Sequence, residues 1–153
     1  MVYMAKGAMA TKTKRTAPCG PLNKIRILDL TRLYPGPLGA MLLADMGADV
    51  IKIEDMKSPD YMRYYPPYLS SESAGFLAVN RSKRSIALDL GKKEGRDIFF
   101  SLVKTADIVM EQFRPGIIDK MGLGYQKARK VKKDIIYVSV TGYGQNGPYA
   151  AQA

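Results

Sequence analysis

Short apolar runs alternate with amphipathic stretches along the chain from about residue 22 onward. Apolar residues at a period of two, or in short unbroken runs, are typical of strands, whereas apolar positions at i, i+3 and i+4 are typical of helices. Strands that alternate with helices predict an α/β fold, a Rossmann-like parallel sheet with flanking helices. The predicted strands cover residues 25–31, 49–54, 86–90, 107–111 and 135–140, and the predicted helices cover residues 38–46, 92–106, 117–121 and 125–131.

Two segments between these elements have no clear period. Tyr34-Pro35-Gly36-Pro37 predicts a rigid turn before the first helix. Residues 55–79 are rich in Tyr and Pro, and we interpret them as a long connecting loop. Loops of this length inside a compact domain are often functional or mobile. The tyrosines of this loop equally suit packing against a neighbouring subunit.

The charge of the chain indicates a polyanionic partner. Among 153 residues, 24 Lys and Arg stand against 14 Asp and Glu, which gives a formal net charge of +10. Such a balance suits nucleic acid, an anionic surface or a phosphorylated cofactor. No apolar run approaches the roughly 20 residues that a membrane-spanning helix needs. We therefore expect a soluble protein without a membrane partner.

The first 20 residues differ in composition from the rest, because they contain several Lys, Thr and Ala but no acid. Acid-poor, basic starts are typical of organelle transit peptides, and a disordered tail fits equally well. We therefore expect a tail or transit peptide over residues 1–20 and a folded portion over residues 21–153. The expected location is cytoplasmic, or mitochondrial if the tail is a transit peptide.

The chain contains no histidine, and Cys19 is its only cysteine. These absences exclude Ser-His-Asp and Cys-His nucleophilic schemes, His-ligated metals and an intrachain disulfide. None of the aspartates stands in a paired-carboxylate context. We predict neither a metal site nor a catalytic residue within this sequence.

A basic stretch precedes the third predicted strand. Arg81, Lys83 and Arg84 come directly before the apolar positions of residues 86–90. Clustered cations can bind phosphate oxygens through charge-assisted hydrogen bonds. A solvated basic loop explains the same pattern, because runs of charge usually face water.

Other strand ends carry further candidates. Phe113 offers a flat face to a base and Arg114 a fork to phosphate, although the ring could instead pack under its own loop. Gly142, Gly144 and Gly147 have GxGxxG spacing, but a proline follows them instead of a helix. Prolines in the turn after the first strand remove N–H donors that would hold a pyrophosphate. We therefore do not expect a nicotinamide or flavin site.

Six segments in order resemble the class III CoA-transferase family, which includes formyl-CoA transferases, succinyl-CoA:dicarboxylate transferases and α-methylacyl-CoA racemases. They are PLNKIRILDLTRLYPGP, LLADMGADVIKIE, NRSKRSIALDL, ADIVMEQFRPG, MGLGY and IIYVSVTGYGQNGPY, and they span residues 21–149. The resemblance implies the N-terminal part of the large α/β domain of such an enzyme. It also implies coenzyme A or an acyl-CoA as substrate, together with a carboxylic acid.

The resemblance places coenzyme A along several strand ends. It implies that the first turn lies beside the thioester, that the end of the third strand flanks the adenine, and that the segment after the fourth strand lies near the nucleotide. A basic residue further on reaches the phosphates, and the central cations fit as phosphate or supporting groups. In that order, the residues are Leu33, Tyr34 and Pro35; Leu88, Asp89, Leu90 and Gly91; Gln112, Phe113 and Arg114; Lys120; and Arg81, Lys83 and Arg84.

Two positions depart from the family pattern. Asp55 stands where many relatives have an arginine for a CoA phosphate, and Gly91 stands where some have lysine. The resemblance implies acyl transfer through an aspartate that lies after the Gly-Tyr-Gly-Gln stretch, within an interlocked homodimer. We therefore expect a truncated, CoA-binding portion without its nucleophile. The alternatives are a non-catalytic fragment that binds a protein partner, with nucleic acid less favoured, or part of a racemase-like enzyme.

Overall fold

A parallel sheet forms the centre of the fold in a computed structural model, which describes residues 19–152. The strands are β1 (Arg26–Asp29), β2 (Asp49–Asp55), β3 (Tyr68–Leu69), β4 (Glu72–Ser73), β5 (Arg84–Leu88), β6 (Ile108–Glu111) and β7 (Ile136–Ser139). The five-stranded sheet has the order β5-β2-β1-β6-β7 with every neighbour parallel, and β3 and β4 form a separate antiparallel hairpin. The predicted α/β fold with a parallel sheet is confirmed.

Helices cover both faces of this sheet. They are α1 (Pro35–Asp45), α2 (Ala74–Asn80), α3 (Lys93–Val103), α4 (Ile117–Lys120) and α5 (Tyr125–Val131), with 3₁₀ turns at Tyr61–Tyr64 and Ala150–Gln152. On one face, Phe99 and Val103 of α3 and Ala128 of α5 pack on the sheet. On the other face, Ala40 and Ala44 of α1 do so. Because both faces are covered, the strands read as nearly continuous apolar runs.

The first helix begins earlier than the sequence predicts. Pro35 and Pro37 lie inside the first turn of α1, and the N–H of Leu38 donates to the carbonyl of Tyr34 over 2.9 Å. Proline is suited to the first turn of a helix, where its missing N–H would have no partner inside the helix. The prediction of a separate rigid turn at residues 34–37 is therefore wrong, since only Tyr34 lies outside the helix.

The segment between β2 and β5 is also more ordered than predicted. It holds the first 3₁₀ turn, the β3–β4 hairpin and the seven-residue helix α2. The side chain of Ser73 accepts a hydrogen bond from the N–H of Phe76 and so caps α2, while Phe76 and Val79 are buried. The prediction of one long loop over residues 55–79 is therefore wrong.

Strand β5 begins and ends two residues before the predicted strand over residues 86–90. Arg84 pairs in register with Ile51, and Leu88 pairs with Asp55. Arg84 is consequently the first residue of its strand. The final residues of β1, β2, β5, β6 and β7 lie together at the opposite end of the sheet, which we call the carboxyl edge.

Most of the expected tail or transit peptide at residues 1–20 lies outside the described residues. Between residues 19 and 152, no helix is both long enough and apolar enough to cross a membrane.

Candidate ligand-binding site

Two clefts at the carboxyl edge are each lined by several of the predicted site residues, and ligands of open parallel sheets bind at this end. The first, which we call the central cleft, has a volume of about 390 Å³ and lies between the start of α1 and the ends of β6 and β7. Its lining residues are Pro35, Gln112, Phe113, Arg114, Val140, Thr141 and Gly142. The structure thus brings together one predicted residue of the first turn and the three predicted residues that follow β6.

The side chains of the central cleft combine an apolar wall with one exposed cation. Phe113 is partly buried against the core and also lines the cleft, so its ring packs under its own loop and the contact with a base stays a prediction. The Arg32 guanidinium lies 5.6 Å from the centroid of this ring. Oε1 of Gln112 has no hydrogen-bond partner among the described residues. Arg114 is exposed and forms no ion pair within that same part of the chain.

The side chain of Glu111 holds the backbone of the segment that follows β6. Its carboxylate is fully buried at the end of β6, and Oε2 accepts a hydrogen bond of 2.7 Å from the N–H of Phe113. The neighbouring phenol of Tyr137 donates to the carbonyl of Leu123 over 3.1 Å. Burial, reinforced by the charges of Glu111 and Asp119, raises the pKa of Tyr137 well above its ordinary value. Tyr137 is therefore a neutral hydrogen-bond donor throughout the physiological range.

The second cleft, which we call the basic cleft, has a volume of about 410 Å³ and lies beyond the end of β5. Its charged lining consists of three cations, namely Arg96, Lys120 and Lys127, with no acid. Among residues 19–152, Lys120 and Lys127 form no ion pair. Leu90 and Gly91 line the same cleft, so the structure brings the predicted adenine-flanking segment and the predicted phosphate-binding lysine together.

Arg96 contributes positive charge to the basic cleft, and its side chain also holds part of the backbone that lines it. Its NH1 group donates to the carbonyls of Leu90 and Gly91 over 3.2 and 2.7 Å. Leu88 itself is buried, and its carbonyl accepts from the N–H of Met56. The ammonium of Lys57 forms an ion pair with Oδ2 of Asp89 over 3.1 Å. The hydrogen bond from Lys57 lowers the pKa of Asp89. Asp89 is therefore a paired carboxylate beside the cleft and not part of its lining.

The turn before α1 has an unusual backbone. Leu33 has φ = 62°, in the left-handed region that residues other than glycine rarely adopt. Tyr34, the next residue, is 54% exposed. Arg32 reaches across from this turn toward the β2 end, where it donates to Ser58. The predicted thioester-end residues thus form an exposed turn that leads directly into the central cleft.

The basic stretch before β5 does not lie at this edge. Arg81 forms an ion pair with Asp45 at the end of α1. Arg84 forms a two-pronged pair with Asp49 at the start of β2, with its shorter distance 2.6 Å. Both acids belong to the opposite, amino edge of the parallel sheet. The structure therefore places Arg81 and Arg84 at the end of the sheet opposite the two clefts, apart from the other predicted site residues.

Lys83 occupies a third kind of position, because its side chain is only 2% exposed. Its ammonium donates to Oδ2 of Asp29 (2.8 Å), the carbonyl of Pro37 (2.9 Å) and Oδ1 of Asn80 (3.0 Å). Burial lowers the pKa of Lys83, although the charge of Asp29 acts in the opposite direction. All three ammonium hydrogens are used inside the fold. The prediction of a phosphate contact therefore does not suit Lys83, whereas a supporting role does.

A second buried lysine was not predicted from the sequence. Lys52 in the middle of β2 is 1% exposed, and its ammonium donates to the carbonyl of Thr31 and to Oδ2 of Asp60. A lysine between apolar residues in a strand covered on both faces cannot reach water, and that pattern is a usable sequence signal. Arg96 and Lys127 were also missed, since their helices show only ordinary amphipathic spacing.

The chain is similar to characterised transferases over most of its length. The profile of CoA-transferase family III matches residues 22–153. An acetyl-CoA:oxalate CoA-transferase of Acetobacter aceti is 41% identical over 140 residues, covering 92% of this chain and 36% of the relative. A succinyl-CoA:glutarate CoA-transferase of Mus musculus is 45% identical over 134 residues, covering 87% of this chain and 31% of the relative.

Solved structures agree with this similarity. A CAIB/BAIF family protein from Brucella suis superposes with a TM-score of 0.82 at 40% identity, covering 88% of this chain and 36% of that protein. The chain thus spans about a third of the length of the relatives that it matches. The match includes every strand of the parallel sheet and both clefts at its carboxyl edge. On these findings, the chain belongs to CoA-transferase family III.

Proposed function

We propose that this chain is the coenzyme A-binding, N-terminal portion of an enzyme that moves CoA between an acyl-CoA and a carboxylic acid. The observation that carries the proposal is the pair of clefts along one edge of the sheet, one lined by cations and the other by an aromatic ring and unpaired polar groups. Coenzyme A has the matching polarity, with a phosphorylated nucleotide at one end and a less polar pantetheine arm at the other.

The nucleotide end of coenzyme A suits the basic cleft. Lys120 and Lys127 offer ammonium groups without competing acids, and charge-assisted hydrogen bonds to phosphate are strong. Leu90 and Gly91 provide backbone beside the same cleft, in agreement with the adenine-flanking role that the resemblance implies. Asp55 in this chain accepts hydrogen bonds from the N–H groups of Lys57 and Ser58, so it serves a turn and does not contact phosphate.

The pantetheine arm and the thioester suit the central cleft. Phe113 offers an apolar face to the arm. Oε1 of Gln112 is buried beside the cleft without a hydrogen-bond partner among the described residues. Pro35, the last residue of the turn at Leu33, Tyr34 and Pro35, lines the cleft on the side of α1. The carbonyl end of an acyl group would then lie near Thr141 and Gly142, where the final described loop begins.

The resemblance supplies the chemistry that we propose for the whole enzyme. An aspartate carboxylate attacks the thioester carbonyl, so that a mixed anhydride forms and CoA leaves as the thiolate. The thiolate attacks the aspartyl carbonyl of the anhydride, which releases the first carboxylate and leaves an aspartyl-CoA thioester. The incoming carboxylate attacks this thioester to form a second mixed anhydride, and the expelled thiolate attacks its acyl carbonyl, which gives the new acyl-CoA and frees the aspartate. We assign that aspartate to sequence beyond the Gly142–Gly147 loop, and we assign binding and orientation to the residues described here. The exposed tyrosines at positions 61, 64, 65 and 68 suit the interlocked partner subunit.

Isothermal titration of coenzyme A into the purified chain tests the binding proposal. We expect binding to a folded species and weaker binding of 3′-dephospho-CoA, since loss of one charge-assisted contact costs about 1.5–3 kcal/mol. Binding of duplex DNA or a protein partner with indifference to CoA would instead support the non-catalytic alternative. A folded chain that binds no CoA at any practical concentration would contradict the proposal.

A further inference from the structure

We propose that Lys52 and Asp60 form a positioning pair that fixes the backbone of the turn over residues 31–35 at the edge of the central cleft. The identity of the ligand beside this turn rests on the proposed function, whereas the fixing of the backbone rests on geometry alone. The pair belongs to no cleft lining, so its effect on a ligand passes through the turn.

Lys52 provides the first half of the connection. It projects from β2 into the interior, where its ammonium lies 2.9 Å from the carbonyl oxygen of Thr31 and 3.0 Å from Oδ2 of Asp60. The Phe76 ring covers it from the side of α2, with its centroid 5.8 Å from the ammonium. An ammonium that cannot reach water holds its few acceptors tightly, because each unmade hydrogen bond would be costly. Thr31 is thereby tied to the neighbouring strand.

Asp60 provides the second half. Its Oδ1 accepts hydrogen bonds of 3.0 Å from the N–H groups of Leu33 and Met62, while Oδ2 accepts from Lys52. One buried carboxylate therefore joins the strained residue Leu33 to the 3₁₀ turn of the β2–β5 connection. The N–H of Asp60 donates in turn to Oε1 of Glu54, and this hydrogen bond ties Asp60 to the end of β2.

The other buried lysine holds the far side of the same turn. Lys83 donates to the carbonyl of Pro37 and to Asp29, and the other oxygen of Asp29 accepts from the backbone N–H of Thr31 over 2.9 Å. Side chains therefore fix the backbone at Thr31 and Leu33 within the turn and at Pro37 in the first turn of α1. Among residues 19–152, only the Lys52–Asp60 pair bonds to the middle of the turn, where Leu33 takes its left-handed conformation.

Stability alone is a poor explanation for such a pair. Desolvating two charges offsets most of their attraction, and apolar residues of similar volume often replace a buried ion pair without loss of stability. What apolar residues cannot replace is the set of directed hydrogen bonds to the carbonyl of Thr31 and the N–H of Leu33. The pair should therefore be dispensable for folding but required for the shape of the turn.

Amide hydrogen exchange on the native chain gives the first test. The N–H of Leu33 should exchange at least about tenfold more slowly than that of Tyr34, because a hydrogen bond of ordinary strength protects by about that factor. The Tyr34 N–H has no partner within residues 19–152. Equal exchange rates at the two positions would overturn the proposal, whatever the ligand is.

Paired replacements give the second test. Lys52→Met/Asp60→Leu removes both directed contacts, whereas Lys52→Met/Asp60→Asn keeps an acceptor for the N–H of Leu33. We expect protection at Leu33 to be lost in the first variant and largely recovered in the second. Arg26→Met, which breaks an ion pair at the amino edge of the neighbouring strand, is the control and should leave Leu33 protected.

Ligand titration separates this proposal from the proposed function. The Lys52→Met/Asp60→Leu variant should bind coenzyme A about tenfold more weakly than the native chain does. It should bind 3′,5′-ADP, which lacks the pantetheine arm, with unchanged affinity. Equal losses for both ligands would overturn the positioning role. If the native chain binds neither ligand, the proposed function fails. The exchange measurements still test whether Lys52 and Asp60 fix the backbone of the turn.

Discussion

The cations of the basic cleft differ in how much of their hydrogen-bonding capacity the fold already uses. Arg96 is partly committed to the carbonyls of Leu90 and Gly91, whereas Lys120 and Lys127 have no ion pair within residues 19–152. The unpaired ammonium groups should therefore contribute most to a bound phosphate.

Replacing Lys120 by alanine should weaken coenzyme A binding by about 1–2 kcal/mol, the scale of one charge-assisted hydrogen bond at a partly exposed site. Lys127→Ala should have an effect of the same sign. Calorimetric titration measures both. Lys133→Ala is the matched control, because Lys133 is exposed and lines neither cleft. Unchanged affinity in the Lys120 variant would contradict the assignment of phosphate to this cleft.

The Glu54–Arg63 pair makes stability depend on pH. Burial alone would raise the pKa of Glu54, but hydrogen bonds from Arg63 and from the N–H of Asp60 outweigh it and hold the pKa below its ordinary value of 4.5. A carboxylate whose pKa is lowered by folding stabilises the protein above its unfolded-state pKa. That contribution is lost as the pH falls through the folded-state pKa.

We therefore expect Arg63→Met to lower the free energy of unfolding by about 2 kcal/mol at neutral pH, since a buried charge loses its partner. The difference from the native chain should shrink at acid pH, below the lowered folded-state pKa of Glu54, where this carboxyl is protonated in both proteins. Urea denaturation at the two pH values measures it. Lys93→Met, which breaks an exposed pair, should show no measurable difference at either pH. A pH-independent loss would point to lost packing of Arg63 on Phe76 instead.

Single residues show where reading the sequence was sufficient and where it was not. Gln112 and Phe113 follow a strand, and the structure places them in a cleft, as strand-end positions in a parallel sheet predict. Arg81 precedes β5 and Arg84 begins it, so the same rule assigns both to the amino edge, although their clustering suggested a phosphate site. Lys52 was missed because its partner Asp60 lies in a segment without periodicity.

Individual elements were predictable where both period and length were strong. β1, β2, β6 and β7 follow from apolar runs, and α3 follows from a clear amphipathic stripe. Helix α2 was not predicted, because its seven residues are too short to show a period and it follows a run of tyrosines and prolines. The cap at Ser73 was its only local signal. Tertiary burial of Phe76 supplies the rest.

Helix α3 begins so close to the end of β5 that its first turn needs a glycine. A Cβ on Gly95 would overlap the backbone carbonyl of Asp89. We expect Gly95→Ala to destabilise the chain by about 1–3 kcal/mol, because the helix must move away from the sheet. Chemical denaturation measures the change. Gly39→Ala within α1 is the matched control, since its new methyl would meet only Met110 Cε at 4.0 Å.

The control should keep or raise stability by up to about 1 kcal/mol, because alanine loses less conformational entropy in a helix than glycine. Equal destabilisation by both replacements would show that the Asp89 contact is not the cause. The Gly95 variant should also weaken coenzyme A binding, because the neighbouring Arg96 would no longer hold the Leu90 and Gly91 carbonyls.

At the scale of the whole molecule, the chain carries a net charge of +10. Some of its cations have an acid beside them, whereas those of the basic cleft line it together without an acid. Arg26, Arg81 and Arg84 are matched by acids at the amino edge, whereas the basic cleft at the carboxyl edge has no acid in its lining. The basic cleft therefore presents unmatched positive charge at the carboxyl edge, and this charge should attract an anionic ligand over several ångströms.

Raising the salt concentration should consequently weaken coenzyme A binding, because the screening length falls from about 10 Å at 0.1 M to about 3 Å at 1 M. Pantetheine carries no phosphate, so its weaker binding should hardly change over the same range. Titrations of both compounds at three salt concentrations measure the slopes. Parallel slopes for the two compounds would contradict a phosphate site in the basic cleft.

The buried lysines also constrain how this sequence can change over generations. Removing one member of a buried pair strands the other charge and costs about 3–5 kcal/mol, which is a large part of the roughly 5–15 kcal/mol that keeps a domain folded. Lys52 with Asp60, and Lys83 with Asp29, can therefore be exchanged only as couples. The two residues of each pair should therefore change together, so that descendants of this gene keep both residues or replace both.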